Sequence, residues 1–300
     1  MYAELQVTTH FSFLRGASSP QELFEQAKLL GITALGITDR NSLAGIVRAY
    51  EASRETGVRL IVGCRLDLID GTSLLVYPTD RAAYSRLCRL LSIGKSRAGK
   101  GQCHLAWDDV VAWNEGLIAI LLGDEADAVL NQNLARLKST FGNRAYMALI
   151  RRFAPNEYLR LHAIEQAARA ARVPSIAVGD VLYHHPDRRR LQDVVSCIRE
   201  GCTIDEAGYR LERHADRYLK DPVEMGRLFE RHPEAFRHVH EVLDRCTFSL
   251  DELRYQYPSE TEPGETAQEK LKRLTWGGRG SAIQMAFPMW SRRPAATSYA

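Results

Sequence analysis

The sequence lacks the features that mark membrane, secreted and disulfide-rich proteins. No apolar run approaches the ~20 residues that a transmembrane helix needs, and no basic segment followed by an apolar one resembles a signal peptide. The 6 cysteines are scattered without a Cys-x-x-Cys pair, so neither a disulfide framework nor a zinc finger is expected. We therefore predict a cytoplasmic protein with reduced thiols and no membrane partner.

A strong overall charge is also missing. The net charge is +3, but residues 277–300 hold Arg279, Arg292 and Arg293 and no acid, so removing them from the 40 basic residues leaves 37 against 37 acidic ones. Composition therefore indicates no general nucleic-acid surface, although local patches remain possible. The best local patch for DNA or for a partner comprises Arg86, Arg89, Lys95, Arg97 and Lys100. A solvated helix face is the plainer interpretation of the same residues.

Short apolar runs alternate with amphipathic segments along most of the chain. The predicted strands are Leu5–Thr8, Ala34–Thr38, Arg59–Val62, Leu74–Tyr77, Leu117–Leu122, Ala145–Ile150 and Ser175–Val178. The predicted helices between and after them are Pro20–Leu30, Ser42–Thr56, Asp80–Ile93, Glu125–Phe141, Asn156–Ala171, Arg188–Ile198, Pro222–Arg231 and Pro233–Arg245. This order predicts an α/β fold with parallel strands. A closed or distorted barrel fits better than a doubly wound sheet, because no glycine-rich phosphate loop follows the first strand.

Several segments together carry a family resemblance. They are HFSFLRGAS (10–18), LGITDRNSLAG (35–45), IVGCRLDL (61–68), VYPTDRAAYSRLCRLLS (76–92), GDVLYHHPDRRRLQDVVSCIREGCTID (179–205), YLKDPVEMGRLF (218–229) and CTFSLDELRYQYP (246–258). Over residues 1–276 the chain resembles the PHP (polymerase and histidinol phosphatase) domain at the front of bacterial C-family DNA polymerases, in their error-prone branch. The resemblance implies a distorted parallel (βα)7-type barrel with a C-terminal helical extension.

The resemblance also implies a division of the chain and a function for its parent. We expect a PHP domain over 1–205, a helical extension over 206–258, a connector toward an absent palm domain over 259–276, and a disordered tail over 277–300. The parent would be a DNA-directed DNA polymerase, a nucleotidyltransferase active in DNA replication, translesion synthesis and the repair of DNA damage. It would use magnesium and work with DNA and with a sliding clamp or accessory mutagenesis proteins. This chain, without the palm, is expected to be an inactive monomer.

The tail from Gly277 suggests a change of reading frame. Possible codons for residues 280–290 (GSAIQMAFPMW), read two bases later, give Gln-Arg-Tyr-Pro-Asp-Gly-Val-Ser-Asp-Val. C-family polymerases carry a similar phrase after a segment that resembles LTWG (274–277). We therefore hypothesise a frameshift near Gly277, and the sequence of the downstream DNA tests it. A pseudogene whose product is not made is an open alternative.

Metal-binding members of the family hold divalent ions with His, Asp and Glu, which donate lone pairs. The corresponding positions here are Gln6, Thr8, Arg15, Asp39, Arg40, Arg65, Asp180 and Leu182, and a further His position falls near Arg152. An arginine has no lone pair to donate, and within ~4 Å it repels a divalent cation by several kcal/mol at intermediate dielectric. The resemblance therefore implies a degenerate metal site, with no cofactor and no catalytic residue in this chain.

The expected replacement for the metal is a set of ion pairs. We predict that Arg15, Arg40 or Arg65 reaches Asp39 or Asp180 across the barrel mouth, giving the site a structural role. Three alternatives stay open. The arginine-lined pocket could bind a phosphate or nucleotide. The chain could be an active PHP phosphoesterase with an unusual metal set. It could also be a stand-alone interaction module for polymerase accessory proteins.

Overall fold

A computed structural model describes residues 2–253, 261 and 264–286 of the chain. The chain divides into two compact units, residues 1–253 and residues 254–300. The first unit contains all the strands described below and most of the helices. Part of the expected connector and residues 287–300 of the expected tail lie outside the described residues.

Eight strands form two sheets in the first unit. They are β1 Ala3–Val7, β2 Ala34–Ile37, β3 Arg59–Val62, β4 Cys64–Asp67, β5 Ser73–Pro78, β6 Leu117–Leu122, β7 Ala145–Leu149 and β8 Ser175–Ala177. The order is β1-β2-β3 in one sheet and β4-β5-β6-β7-β8 in the other. Two isolated parallel bridges, Val7 with Val181 and Arg40 with Arg65, connect the sheets. The result is a distorted, incompletely closed barrel, which confirms the predicted α/β class.

One strand departs from the predicted parallel arrangement. Strand β5 is antiparallel to both of its neighbours, β4 and β6. The other observed pairs, β1–β2, β2–β3, β6–β7 and β7–β8, are parallel. The β4–β5 connection explains the reversal, because five residues containing Asp70 and Gly71 join the two strands and Gly71 has a φ of +86°. A connection this short allows only a hairpin.

Helices lie between the strands and continue after the last of them. They are α1 Pro20–Leu29, α2 Ile46–Thr56, α3 Arg81–Ser96, α4 Trp107–Trp113, α5 Ala128–Phe141, α6 Glu157–Ala170, α7 Arg189–Glu200, α8 Ile204–Ala207, α9 Pro222–Leu228, α10 Pro233–Arg245 and α11 Ala267–Ala286. Side-chain hydrogen bonds cap the N-termini of several of these helices. Ser19 and Glu22 form a reciprocal capping box at α1, and the side chains of Asp80 and Asp127 cap α3 and α5.

The helical extension packs onto the barrel. Helix α10 contacts β1 and β8. The ring of Phe236 stacks on Tyr2 at a centroid distance of 5.4 Å, and His238 Nδ1 lies 2.7 Å from the carbonyl oxygen of Ser175. Residues between Leu219 and Phe248 therefore contribute to the hydrophobic core of the first unit.

The second unit contains α11, where the sequence indicated a connector and an unstructured tail. The expected disorder is wrong for residues 277–286, because these residues form the second half of this helix, whose first half lies in the expected connector. Thr266 and Glu269 begin it with reciprocal bonds: the Thr266 amide donates to the Glu269 carboxylate at 2.8 Å, and the Glu269 amide donates to Thr266 Oγ1 at 3.3 Å. Among the described helices, none combines the length with the hydrophobicity that a membrane span requires.

Tyr77 links the two sheets through the barrel interior. Its hydroxyl donates to the carbonyl oxygen of Leu5 at 2.5 Å, and the ring is fully buried. Replacing Tyr77 with phenylalanine should lower the free energy of unfolding by about 1 kcal/mol, because the buried Leu5 carbonyl loses this donor. Urea denaturation measures the change. Tyr209→Phe is the matched control, because Tyr209 is 97% exposed. Equal midpoints for the two variants would contradict the prediction.

Candidate functional site

The positions predicted for a degenerate metal site gather at one mouth of the barrel, near the carboxyl ends of the parallel strands. Gln6 lies in β1, Asp39 and Arg40 follow β2, Arg65 lies in β4, Arg152 follows β7, and Asp180 and Leu182 follow β8. The carboxyl ends of parallel strands commonly carry the functional side chains of α/β barrels. Three carboxylates, Asp180, Asp67 and Asp39, organise the mouth in different ways.

Asp180 is the centre of the first cluster and is 2% exposed. Its Oδ2 accepts from Arg152 Nη1 at 2.7 Å and lies 2.7 Å from Arg217 Nη2, while Oδ1 accepts from Gln6 Nε2 at 2.8 Å. The Arg217 Nε also donates to the Asp180 carbonyl oxygen at 2.7 Å. Burial alone would raise the pKa of Asp180, but the charges of Arg217 and Arg152 outweigh it and hold that pKa well below its usual range.

Asp67 is the centre of the second cluster. Its Oδ2 pairs with Arg40 Nη1 at 2.7 Å and its Oδ1 with Arg65 Nε at 2.7 Å. The Ser73 hydroxyl donates to the same Oδ1 at 2.7 Å. Burial would raise the pKa of Asp67, yet the two guanidinium groups lower it below its ordinary value. Two guanidinium groups thus share one carboxylate. Burial and the neighbouring Arg65 charge lower the pKa of Arg40 to about 10.

Asp39 is buried without an ion pair among the described residues. Its Oδ1 accepts from the Thr9 amide at 2.9 Å and from the Ser12 hydroxyl at 2.6 Å, and its Oδ2 accepts from the Thr9 hydroxyl at 2.8 Å. Burial raises the pKa of Asp39, and these hydrogen bonds offset part of the increase. Asp39 therefore anchors the loop after β1, and its oxygens are already used within the protein.

The remaining predicted positions have backbone roles or no ion pair. The amide of Thr8 donates to the Val181 carbonyl at 2.9 Å, and the amide of Leu182 donates to the Arg217 carbonyl at 2.8 Å. Arg15 forms no ion pair in the part of the chain that the structure describes. Burial and the Arg199 charge lower its pKa. Arg15 is therefore a cation without a carboxylate partner among the described residues.

The predicted ion pairs are wrong in their partners. Arg40 and Arg65 pair with Asp67 rather than with Asp39 or Asp180, because Asp67 lies two residues after Arg65 and on the same face of β4. Asp180 instead receives Arg152 and Arg217. Sequence reasoning missed Arg217 and Asp67. The i, i+2 spacing of Arg65 and Asp67 was a readable signal, whereas no local pattern connects Arg217 with Asp180.

The donor set does not fit a divalent ion. Within residues 2–253, 261 and 264–286, no group of three or more His, Cys, Asp or Glu side chains could hold a metal. Gln6 Oε1 is buried and has no hydrogen-bond partner among the described residues, but one amide oxygen cannot assemble a coordination sphere. The two aspartates at predicted ligand positions, Asp39 and Asp180, are saturated by internal donors. We therefore derive no metal-dependent chemistry at this mouth.

The predicted basic patch separates into two groups. Arg86 pairs with Glu115 at 2.8 Å, and Arg97 pairs with Asp109 at 2.6 Å. Lys95 and Lys100 instead line a cavity of about 870 Å³ together with Arg15, Arg40 and Asp67. Arg89 is exposed and does not line this cavity. The structure thus brings part of the patch to the barrel mouth.

Sequence relatives are error-prone DNA polymerases. The chain is 63% identical over 276 residues to error-prone DNA polymerase 1 of Agrobacterium fabrum, covering 92% of this chain and 25% of that polymerase. It is 60% identical over 278 residues to error-prone DNA polymerase 2 of Rhizobium meliloti, covering 92% and 26% respectively. The chain thus spans about a quarter of the length of these relatives.

A solved structure and a family model also match part of the chain. A protein assigned as a metal-dependent phosphoesterase from Bifidobacterium adolescentis aligns with a TM-score of 0.47 and 14% identity, over 60% of this chain and 87% of that one. The model of the PHP domain matches residues 4–159, which is more than half of the chain. The chain belongs to the PHP domain family and corresponds to the PHP region of error-prone DNA polymerases.

Proposed function

We propose that this chain is the PHP region of an error-prone DNA polymerase and that its barrel has a structural role without metal-dependent hydrolysis. The parent enzyme would extend DNA past damaged bases in the cytoplasm during translesion synthesis and repair, with magnesium bound by a palm domain. Its partners would be DNA and a sliding clamp or accessory mutagenesis proteins. The similarity to error-prone polymerases supports this assignment.

One observation supports the structural role above the others. The guanidinium groups of Arg152 and Arg217 both lie 2.7 Å from the same buried oxygen of Asp180. They occupy the space beside this carboxylate where a bound cation would need to lie, and their positive charges would repel it. Two ion pairs that join segments after β7 and β8 to the loop before α9 would hold the strand ends together instead.

Metal analysis tests the proposal. After dialysis against Mn²⁺ or Zn²⁺ and removal of free ions, the purified chain should retain far less than one ion per molecule by mass spectrometry. It should not hydrolyse p-nitrophenyl phosphate above the buffer rate. A metal-binding PHP phosphoesterase, treated in parallel, is the positive control. Asp180→Asn is the matched variant, and its metal content should equal that of the unaltered chain.

An active metal site would give a clearly different result. Stoichiometric manganese or zinc that is lost in Asp180→Asn, together with phosphoester hydrolysis, would place an active metal site at the mouth. That result would replace the structural role with the phosphoesterase function. It would not affect the family assignment, which rests on sequence similarity.

A further inference from the structure

The cavity beside the Asp67 cluster has an excess of positive charge. Arg15, Arg40, Lys95 and Lys100 line it, and Asp67 is the one acidic residue among its described lining residues. Asp67 is already paired with Arg40 and with Arg65 behind it. Neither Arg15, Lys95 nor Lys100 forms an ion pair within the described residues. Clustered cations repel one another, so an anion that enters the cavity would gain from several of them at once.

The rim of the cavity adds backbone amide donors, two of them from glycines. Gly99, Lys100 and Gly101 form a turn that lines the cavity, closed by the Gln102 amide donating to the Gly99 carbonyl at 3.0 Å. The amides of these three residues have no acceptor in the described part of the chain. Glycines on both sides of a lysine let a ligand approach the backbone closely, which suits a phosphate group.

An aromatic side chain completes the cavity. Phe13 lines it and is 83% exposed, although burial is the usual state of a phenylalanine. Proteins that bind single-stranded nucleic acids combine cationic grooves with exposed aromatic rings on which bases stack. A simple phosphate would use the cations and leave Phe13 without a role. A nucleotide would use both.

We propose that this cavity binds the phosphate monoester of a nucleotide, with Arg15, Lys95 and Lys100 contacting the phosphate and Phe13 stacking on the base. The ligand is either a free nucleotide or the 5′-phosphorylated end of single-stranded DNA, since both present the same chemistry. This site goes beyond the structural role proposed for the chain and requires no metal.

Calorimetric titration of the full chain tests the site with four probes: inorganic phosphate, thymidine monophosphate, 5′-phosphorylated tetrathymidylate and tetrathymidylate without the phosphate. Removal of the 5′-phosphate should weaken oligonucleotide binding about tenfold, because two or more charge-assisted hydrogen bonds are lost. The mononucleotide and the phosphorylated oligonucleotide should both bind more tightly than inorganic phosphate. Tighter binding of one of these two would identify the source of the phosphate.

Variants separate the cavity from general surface charge. The double variant Lys95→Gln/Lys100→Gln should weaken binding of the phosphorylated probes about tenfold. Arg89→Gln removes an exposed cation of the same helix α3 outside the cavity, and it should leave binding within about twofold. Phe13→Ala should weaken the nucleotide probes and leave inorganic phosphate unchanged. The four replaced side chains are all exposed, so the variants should remain folded.

Three results would overturn the proposal: no heat with any probe, equal binding with and without the 5′-phosphate, or equal losses from Arg89→Gln and from the lysine double variant. Inorganic phosphate that binds as tightly as the nucleotides, without an effect of Phe13→Ala, would overturn the nucleotide assignment. Failure here would leave the metal-free structural role intact, since metal content is measured separately.

Discussion

Asp180→Asn is expected to lower the free energy of unfolding by about 3 kcal/mol, because it removes one partner of a buried ion-pair cluster. Arg152 and Arg217 would lose the carboxylate that holds them, and only Asp124 and Glu212 would remain as their more exposed partners. Asparagine is the informative replacement. Asp180 has a φ of +50°, and asparagine tolerates this left-handed conformation, so the variant removes charge without adding backbone strain.

Urea denaturation at neutral pH measures the loss, and Asp187→Asn is the control. Asp187 lies in the same loop region with a 92% exposed side chain, so its replacement should change stability by about 0.5 kcal/mol or less. A similar small effect for Asp180→Asn would mean that the cluster does not hold the strand ends together.

The pH dependence gives a second, independent readout of the same cluster. Arg217 and Arg152 depress the pKa of Asp180 in the folded chain despite its burial. The stabilisation is therefore fully present above the unfolded-state pKa of about 3.9 and is lost as the pH falls below it. The stability difference between the unaltered chain and Asp180→Asn should accordingly shrink as the pH is lowered from 6 toward 3.

Asp39 should behave in the opposite way. Burial raises the pKa of Asp39 in the folded chain, so the charged carboxylate disfavours folding. The contribution of Asp39 to the free energy of unfolding therefore falls as the pH rises above the unfolded-state pKa. The unaltered chain should gain stability relative to Asp39→Asn as the pH is lowered. Parallel pH profiles for the Asp39 and Asp180 variants would contradict the distinction between a paired and an unpaired carboxylate.

The sequence was sufficient for most of the fold because its local signals agree with the tertiary structure. The apolar runs at Ala34–Ile37, Leu117–Leu122 and Ala145–Leu149 are too short for helices and are buried as strands. Strand β4 was missed because Gly63 separates it from β3 by a single residue, so the two strands look like one apolar segment. The direction of β5 was missed although Asp70-Gly71 is a hairpin signal.

The candidate site was predictable in location but not in pairing. Resemblance placed Asp39, Asp180 and the arginines at one mouth, and several of these residues do follow strands, namely Asp39, Arg40, Arg152 and Asp180. Pairing depends on side-chain reach across the mouth and on segments far away in sequence, such as the loop that carries Arg217.

Helix α11 was missed for a different reason. The Thr266-x-x-Glu269 capping pattern is a local signal for a helix start, but the tail that follows it has no helical period in its sequence.

Gly16→Ala is expected to destabilise the chain by about 3 kcal/mol or more, because the new methyl group would meet backbone rather than flexible side chains. A Cβ at this position would lie 2.4 Å from the Thr9 carbonyl oxygen, 2.6 Å from its carbon and 2.7 Å from the Thr8 carbonyl oxygen. The loop after β1 returns against its own start here, and the Ala17 amide fixes it by donating to the Leu182 carbonyl at 2.9 Å.

Gly226→Ala is the matched control for this substitution. Gly226 lies in α9, where an added Cβ meets nothing within 4 Å. Alanine there should be neutral or stabilising by up to about 1 kcal/mol, since alanine favours helices over glycine. The same chemical change should thus have opposite signs at the two positions, which excludes a general effect of replacing glycine.

The cost at Gly16 should also be coupled to Asp39. The methyl group would displace Thr9, whose amide and hydroxyl both donate to the Asp39 carboxylate. In a chain that already carries Asp39→Asn, these bonds are weakened, so Gly16→Ala should cost about 1 kcal/mol less than it does alone. Gly226→Ala should show no such coupling. Additive effects of Gly16→Ala and Asp39→Asn would mean that the loop absorbs the methyl group without moving Thr9, and that Asp39 is held independently of the tight return at Gly16.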